Sequence, residues 1–252
     1  SIFGIVSSRI DENGFERKRN FMIQISNLSK KYGETVVFSD LNYTFENACI
    51  YGLVGRNGAG KTTLLNILSN YEKNYTGVIS IDGEKMNKVD YLDMPVAYAM
   101  DQPSFFNELT IYENLLLIAS SRKIKKQEAF DKIERILDGL GLKKYENYSP
   151  LELSKGTMQR LNNACAMIQE EKITIFDEPF SGLDPVQMKL LENVIVEFHK
   201  KEKGIYIISS HDIECLQNVC DKCLLLHNGQ IREINMEEVD REEIAKILSE
   251  GE

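Results

Sequence analysis

Gly55-Arg56-Asn57-Gly58-Ala59-Gly60-Lys61-Thr62-Thr63 decides how the rest of the chain is read. An apolar run of β character precedes it, Cys49-Ile50-Tyr51-Gly52-Leu53-Val54, and after it Leu64, Leu65, Ile67 and Leu68 share one face of a helical pattern. A phosphate-binding loop needs this order of strand, glycine loop and helix. Glycines at both ends let the backbone curl so that its N–H groups point inward at phosphate oxygens. Lys61 can then reach the β- and γ-phosphates and the Thr62 hydroxyl can ligate Mg²⁺, while the helix N-terminus adds partial positive charge. The bland alternative, a glycine-rich turn that binds nothing, does not explain the flanking strand and helix. The pattern therefore predicts a nucleoside triphosphate site. Kinases, GTPases and many ATPases share such a loop, so the remaining residues must choose among them.

At 252 residues the chain is long enough for one large α/β domain, or for a domain carrying a lobe. A formal charge of −9 argues against nucleic acid as a partner, since a phosphate backbone is bound through a basic stripe. Arg122 to Lys126 is a local basic run and reads as a solvated helix end. Leu115 to Ala119, among the longest apolar runs, falls far short of the roughly 20 residues of a membrane span. Residues 1–21 carry no recognisable pattern and receive no function; the domain pattern begins at Met22. Cys215, Cys220 and Cys223 match the first three positions of one iron–sulfur spacing, but no fourth cysteine follows. Reduced thiols are the expectation for all five cysteines.

Met22 to Leu28 alternates as an edge or antiparallel strand. Lys30-Lys31-Tyr32-Gly33 then reads as a turn presenting an aromatic ring, either a packed turn residue or a platform for a purine base. Val36 to Phe38, Leu41 to Phe45 and Gly77 to Ile81 read as further strands, the last with an Asp82-Gly83 hairpin turn. Val96 to Met100 is another strand, followed by Asp101-Gln102-Pro103, and Gln102 stands at its C-terminal end, where ligands bind in α/β sheets. Amphipathic helices are expected over Thr110 to Ser120, Lys126 to Leu140 and about Ser154 to Gln169, forming a lobe over residues 103–170 that pivots at Gln102-Pro103.

Ile173 to Phe176 is continuously apolar, as a parallel strand covered on both faces must be, and it ends in two acids. Asp177 is placed to support Mg²⁺ and Glu178 to polarise an attacking water. Ser181-Gly182-Leu183-Asp184-Pro185 leads into a helix from Val186 to Lys200. The next strand, Ile205 to Ile208, delivers His211 to the same sheet edge as the two acids, whereas His199 and His227 read as structural. Cys223 to Ile234 closes the domain as a hairpin around Asn228-Gly229, and an acidic amphipathic helix is expected over 237–252.

From Met22 to about Ile234 these motifs resemble an ABC-type ATPase, the nucleotide-binding subunit of an ATP-binding-cassette transporter. The stretch that carries the resemblance is Leu153-Ser154-Lys155-Gly156-Thr157-Met158-Gln159-Arg160, followed in order by Phe176-Asp177-Glu178-Pro179, Ser181-Gly182-Leu183-Asp184 and His211. The resemblance implies an α/β fold: a P-loop NTPase core with a mixed or parallel sheet, an N-terminal antiparallel β subdomain and a helical lobe. It implies ATP and Mg²⁺ as cofactors. Tyr32 would stack on adenine, and the amides from Gly55 to Thr63 would hold phosphate with Lys61 and Thr62. Gln102 would sense the metal and the attacking water, Asp177 would support the metal, Glu178 would be the general base and His211 would contact the γ-phosphate. Ser154 and Gly156 would serve the nucleotide of a second ATPase subunit, identical or not.

The implied partner is a separate transmembrane permease, which would hold the chain on the cytoplasmic face of the membrane. Two residues depart from the family pattern: Lys155 where a glycine is common, and Thr157 where glutamine is usual. Lysine here resembles bacterial export-type cassettes. Two further readings compete with the transporter subunit. A soluble family member of the cluster-assembly type is opposed by Leu109 to Leu115, which looks like a transporter-type lobe, and a metabolic kinase leaves the signature unexplained.

Overall fold

The computed structural model describes residues 21–89 and 93–235; the expected C-terminal helix and almost all of the 1–21 segment lie outside the described residues. Among the described residues ten strands run in chain order as β1 (Met22–Tyr32), β2 (Thr35–Glu46), β3 (Cys49–Val54), β4 (Thr76–Ile81), β5 (Glu84–Lys85), β6 (Val96–Ala99), β7 (Ile173–Phe176), β8 (Ile205–Ser210), β9 (Lys222–His227) and β10 (Gln230–Ile234). Interleaved with them among the described residues are the α-helices α1 (Lys61–Leu68), α2 (Ile111–Ser121), α3 (Lys126–Gly139), α4 (Lys155–Met167), α5 (Pro185–Glu202) and α6 (Glu214–Gln217). The strands form two sheets. An antiparallel sheet has the order β2-β1-β4-β5, and a six-stranded sheet has the order β10-β9-β3-β8-β7-β6. Within the larger sheet β9, β3, β8, β7 and β6 are parallel, and β10 is an antiparallel edge. This is the mixed α/β architecture expected, with an antiparallel β subdomain and helices.

Alternation along the parallel strands explains why they are apolar throughout. Ile50, Val54, Phe176, Tyr206 and Ile208 pack with α2, α3, α4 and α5. Tyr51, Leu53, Ile175 and Ile207 point the other way, into a second core shared with α1 and the antiparallel sheet. The parallel sheet is the shared middle layer.

Local chemistry sets the element ends. Thr110 begins α2 with a capping box, its side chain accepting the Glu113 N–H while the Glu113 carboxylate accepts the Thr110 N–H at 2.8 Å. Asp184 caps α5 in the same N-terminal position, accepting the Gln187 N–H at 2.8 Å, with Pro185 at the first helical position.

Two local expectations are corrected. Lys30 and Lys31 belong to β1, which continues to Tyr32, so the turn begins at Gly33. The Lys30 ammonium is buried and held by the Asn74 carbonyl at 2.7 Å and Glu72 at 2.9 Å, contacts remote in sequence that extend the strand. The two short strands expected over 36–45 are one strand, β2. It bends at Asp40, which adopts φ 53° and donates its N–H to Ser29 Oγ at 2.9 Å, absorbing a register shift against β1.

Candidate functional site

The C-terminal ends of β3, β8, β7 and β6 are neighbours on one edge of the parallel sheet, and each delivers one part of the site. β3 leads into the glycine loop. Gly55 is confined because a Cβ there would stand 2.8 Å from the Leu226 carbonyl oxygen. Gly60, immediately before α1, has φ 101°, and a Cβ on it would meet Val37 at 2.6 Å. No side chain caps the start of α1, so its first N–H groups are presented to the cleft as an anion site.

That cleft, about 540 Å³, is bounded by the loop, by Tyr32 and by Glu178 and His211. Arg56, Asn57, Gly58, Gly60, Thr62 and Thr63 line it from the loop side. Gly55 and Ala59 lie behind this surface; the Ala59 N–H closes the turn onto the Arg56 carbonyl at 3.1 Å. Lys61 is 7% exposed, and its ammonium donates to the Gly55 carbonyl at 2.6 Å while standing 3.6 Å from Glu178 Oε1. The other oxygen, Glu178 Oε2, is 2.9 Å from His211 Nδ1.

Asp177 is fully buried beneath the cleft. Burial pushes its carboxyl above the ordinary range, opposed by hydrogen bonds from Ser209 and Thr62, and the nearby Glu178 and Asp101 charges push it further up. Its oxygen donors suit a hard cation. Mg²⁺ is held by one or two carboxylates together with hydroxyl, phosphate and water oxygens, and Thr62 with Asp177 forms such a partial set. Among the described residues no cluster of three or more His, Cys, Asp or Glu side chains could form an all-protein metal cage.

Tyr32 stands at the cleft mouth, 51% exposed, with its hydroxyl donating to Glu72 at 3.3 Å and the Lys30 ammonium 4.3 Å from its ring centre. Gln102 is exposed and does not line the cleft; its neighbour Asp101 does. Ser154 and Gly156 are also elsewhere. Ser154 caps α4, accepting the Thr157 N–H at 3.3 Å, and lines a different cavity with Thr157 and Arg160. Thr157 is buried, its hydroxyl 2.9 Å from Ser154 Oγ and accepting from the Arg160 guanidinium at 3.3 Å. It therefore braces its own helix. Lys155 is exposed and runs alongside Gly182.

Sequence reasoning missed several residues that meet the site. Thr35, Val37, Asp101 and Ser181 line the cleft. Side-chain amides of α4 clamp the loops behind it: the buried Asn162 donates its Nδ2 to the Met100 carbonyl at 2.6 Å and the half-buried Gln159 its Nε2 to the Glu178 carbonyl at 3.3 Å. No local pattern points to these two, because α4 mixes polar and apolar residues along its length. Ser209 hydrogen-bonds Asp177, and nothing in an apolar strand pattern points to it.

A family model described as ABC transporter matches residues 38–181. An uncharacterised ABC transporter ATP-binding protein of Methanocaldococcus jannaschii is 32% identical over 208 residues, covering 82% of this chain and 75% of the relative. The bacitracin transport ATP-binding protein of Enterococcus faecalis is 30% identical, covering 88% and 71%, and a tungstate uptake system ATP-binding protein of Peptoclostridium acidaminophilum is 30% identical, covering 84% and 97%. A solved structure described as the ATP-binding subunit of an ABC transporter superposes with a TM-score of 0.81 at 26% identity, covering 90% of this chain and 99% of its own. A dimeric bacterial ABC transporter cassette shares the fold, with a TM-score of 0.74 at 22% identity and coverage of 84% and 98%. The chain belongs to the ABC transporter family as an ATP-binding subunit, and the cassettes of that family are ATPases.

Proposed function

We propose that this chain binds and hydrolyses ATP with Mg²⁺, closes head to tail with a second cassette, and powers transport through a separate membrane-spanning partner. The observation that carries the reading is the convergence of Lys61, Thr62, Asp177, Glu178 and His211 at one sheet edge beside an uncapped helix N-terminus. Residues 22–236 form the ATPase domain in this reading, with the helical lobe over about 103–170.

Each residue has a task set by its chemistry. The loop amides and Lys61 hold the phosphates, and Tyr32 takes the adenine ring. Mg²⁺, held by Thr62 and Asp177, would neutralise charge on the phosphates. Glu178 accepts the proton of the attacking water as its oxygen bonds to the γ-phosphorus. The bond to the bridging oxygen breaks, leaving ADP and inorganic phosphate. His211 stabilises the charge of the transferring group and steadies Glu178. Ser154 and Gly156, away from this cleft, serve the nucleotide of the second subunit. Because ATP binds the closed pair better than the open one, it shifts that equilibrium, and hydrolysis reverses the shift.

The lobe supplies a surface for the membrane partner. Phe106 is 59% and Leu151 is 74% exposed, and Tyr148 is also exposed. The loops that carry them are joined by Ser149 Oγ donating to the Asn107 carbonyl at 2.8 Å. Exposed apolar groups held in register mark a docking surface. No helix among the described residues is long and apolar enough to cross a membrane. In this reading the chain sits on the cytoplasmic face through that partner. We assign export on the strength of Lys155; relatives are named both for bacitracin transport and for tungstate uptake.

Gentle solubilisation of membranes from cells expressing the tagged chain, followed by pull-down, tests the proposal. A polytopic membrane protein recovered in near-equal amount supports it, and movement of solute in vesicles carrying both chains reads the direction. Recovery of soluble partners alone, with the chain in the soluble fraction, overturns the transporter reading in favour of a soluble ATPase of the family.

A further inference from the structure

Ser209 is fully buried near the end of β8, and its hydroxyl joins the two acids of the site. The O–H donates to Asp177 Oδ1 at 2.5 Å, and the same oxygen accepts the Glu178 N–H at 2.9 Å. The ladder between β7 and β8 explains why a side chain is needed there. Its last rung pairs Phe176 with Ile208. Beyond it the chain turns away, with the Asp177 N–H donating to the Ala99 carbonyl of β6 at 2.9 Å and Glu178 adopting φ 49°. A non-glycine residue in this left-handed region is strained and persists only when its surroundings hold it. With the Glu178 N–H turned out of the ladder, the Ser209 oxygen replaces the missing rung.

Two other side chains reach Asp177, and neither duplicates this link. Thr62 bonds the carboxylate from α1, and the Tyr98 hydroxyl stands 3.5 Å from Asp177 Oδ2 while donating to Asn66 at 3.0 Å. Neither touches the Glu178 backbone. Two residues further along, just past the end of β8, the His211 ring stands against the Glu178 carboxylate.

We infer that Ser209 is a positioning residue of the ATP site, turning the Asp177 carboxylate toward Thr62 and fixing the left-handed backbone that aims Glu178 at Lys61 and His211. The inference rests on the roles proposed above for Asp177 and Glu178. Removing the hydroxyl frees one carboxylate oxygen and one backbone N–H in a buried place, so the two acids lose their shared anchor.

The test compares the native chain with Ser209→Ala and the more conservative Ser209→Thr. Calorimetry of ATP binding, with excess EDTA and with Mg²⁺, separates the loop from the acids, and kcat and KM are measured at saturating Mg²⁺. Circular dichroism confirms folding. In Ser209→Ala, ATP affinity in EDTA stays native, while the Mg²⁺-dependent gain in affinity and kcat each fall about tenfold or more, the size of a lost hydrogen bond to a charged group. Ser209→Thr, which keeps the hydroxyl, recovers most of both. A folded Ser209→Ala with native Mg²⁺ gain and kcat overturns the inference. If alanine fails to fold, loss of the Mg²⁺ gain in folded Ser209→Thr, where the hydroxyl is present, overturns it equally, and its retention supports it. A native chain whose ATP affinity ignores Mg²⁺ would instead remove the underlying reading, which the native measurement alone reveals.

Discussion

His211 Nδ1 lies 2.9 Å from Glu178 Oε2 while Lys61 Nζ lies 3.6 Å from Glu178 Oε1, so one carboxylate stands between the residue that follows β8 and the residue that begins α1. The two carboxylate oxygens therefore face different partners. Glu178→Gln keeps the size and loses the base. Hydrolysis should fall by about a hundredfold or more, the contribution of a positioned general base. Binding persists, so an ATP-bound dimer should accumulate on size-exclusion chromatography with light scattering. Monomer alone at saturating ATP, with binding confirmed, would count against closure on two nucleotides.

His211→Ala tests the other side of that contact. The ring stands 2.9 Å from the Glu178 carboxylate and lines the cleft. The expected result is a kcat lower by about two orders of magnitude, as for loss of one transition-state donor. KM for ATP should change by much less. A large rise in KM with kcat preserved would reassign His211 to binding.

Lys61→Ala is expected to act on binding. The ammonium is nearly buried, and its nearest partner is the Gly55 carbonyl, 2.6 Å away within the loop it serves. Loss of a charge-assisted hydrogen bond to phosphate should weaken ATP by about 10- to 100-fold. Fluorescent-nucleotide titration in EDTA checks this without involving the metal. Native affinity there would place the phosphates elsewhere.

The middle layer sets stability. Ile207 has no exposed surface and packs between the parallel sheet and α1. Ile207→Ala should cost about 2–5 kcal/mol, since the tightly layered core cannot collapse around the void. Urea denaturation with an unchanged slope would measure it. A loss below about 0.5 kcal/mol would mean the layer relaxes freely, contrary to close packing.

His199 gives a pH-dependent term. It is buried, its Nε2 stands 3.1 Å from the Gly204 carbonyl, and burial holds its pKa below the ordinary value of 6.5. The folded state thus binds a proton less readily than the unfolded chain. Its contribution is full above pH about 6.5 and is lost as pH falls through the folded value. The advantage of native His199 over His199→Gln in thermal midpoint should be largest near pH 7.5 and shrink toward pH 5. A constant difference across that range would exclude the effect.

Much of the site was legible because its parts are local. A glycine loop between an apolar strand and a helix needs only nine consecutive residues, from Gly55 to Thr63, and two acids or a histidine after an apolar run mark strand ends without knowledge of neighbours. Tyr32 was found as an exposed aromatic, although the strand that carries it was ended too early. Lys30 has its partners at Glu72 and Asn74, and no local pattern announces them.

The amino-acid order by itself determined the chemistry: which groups bind phosphate, which take a proton, and on which type of element each sits. Period-2 and period-3.6 patterns and glycine positions are properties of short segments, so they survive without the fold. Tertiary structure alone decided who meets whom. β3 pairs with β8, some 150 residues away in sequence and with β4 to β7 intervening, and β7 pairs with both β8 and β6. That order brings His211 to Glu178, seats Ser209 under Asp177 and turns Ser154 to another surface. The reason is physical: strand order is chosen by the packing of two cores on opposite faces of one sheet, and that choice is a sum over contacts distant in sequence.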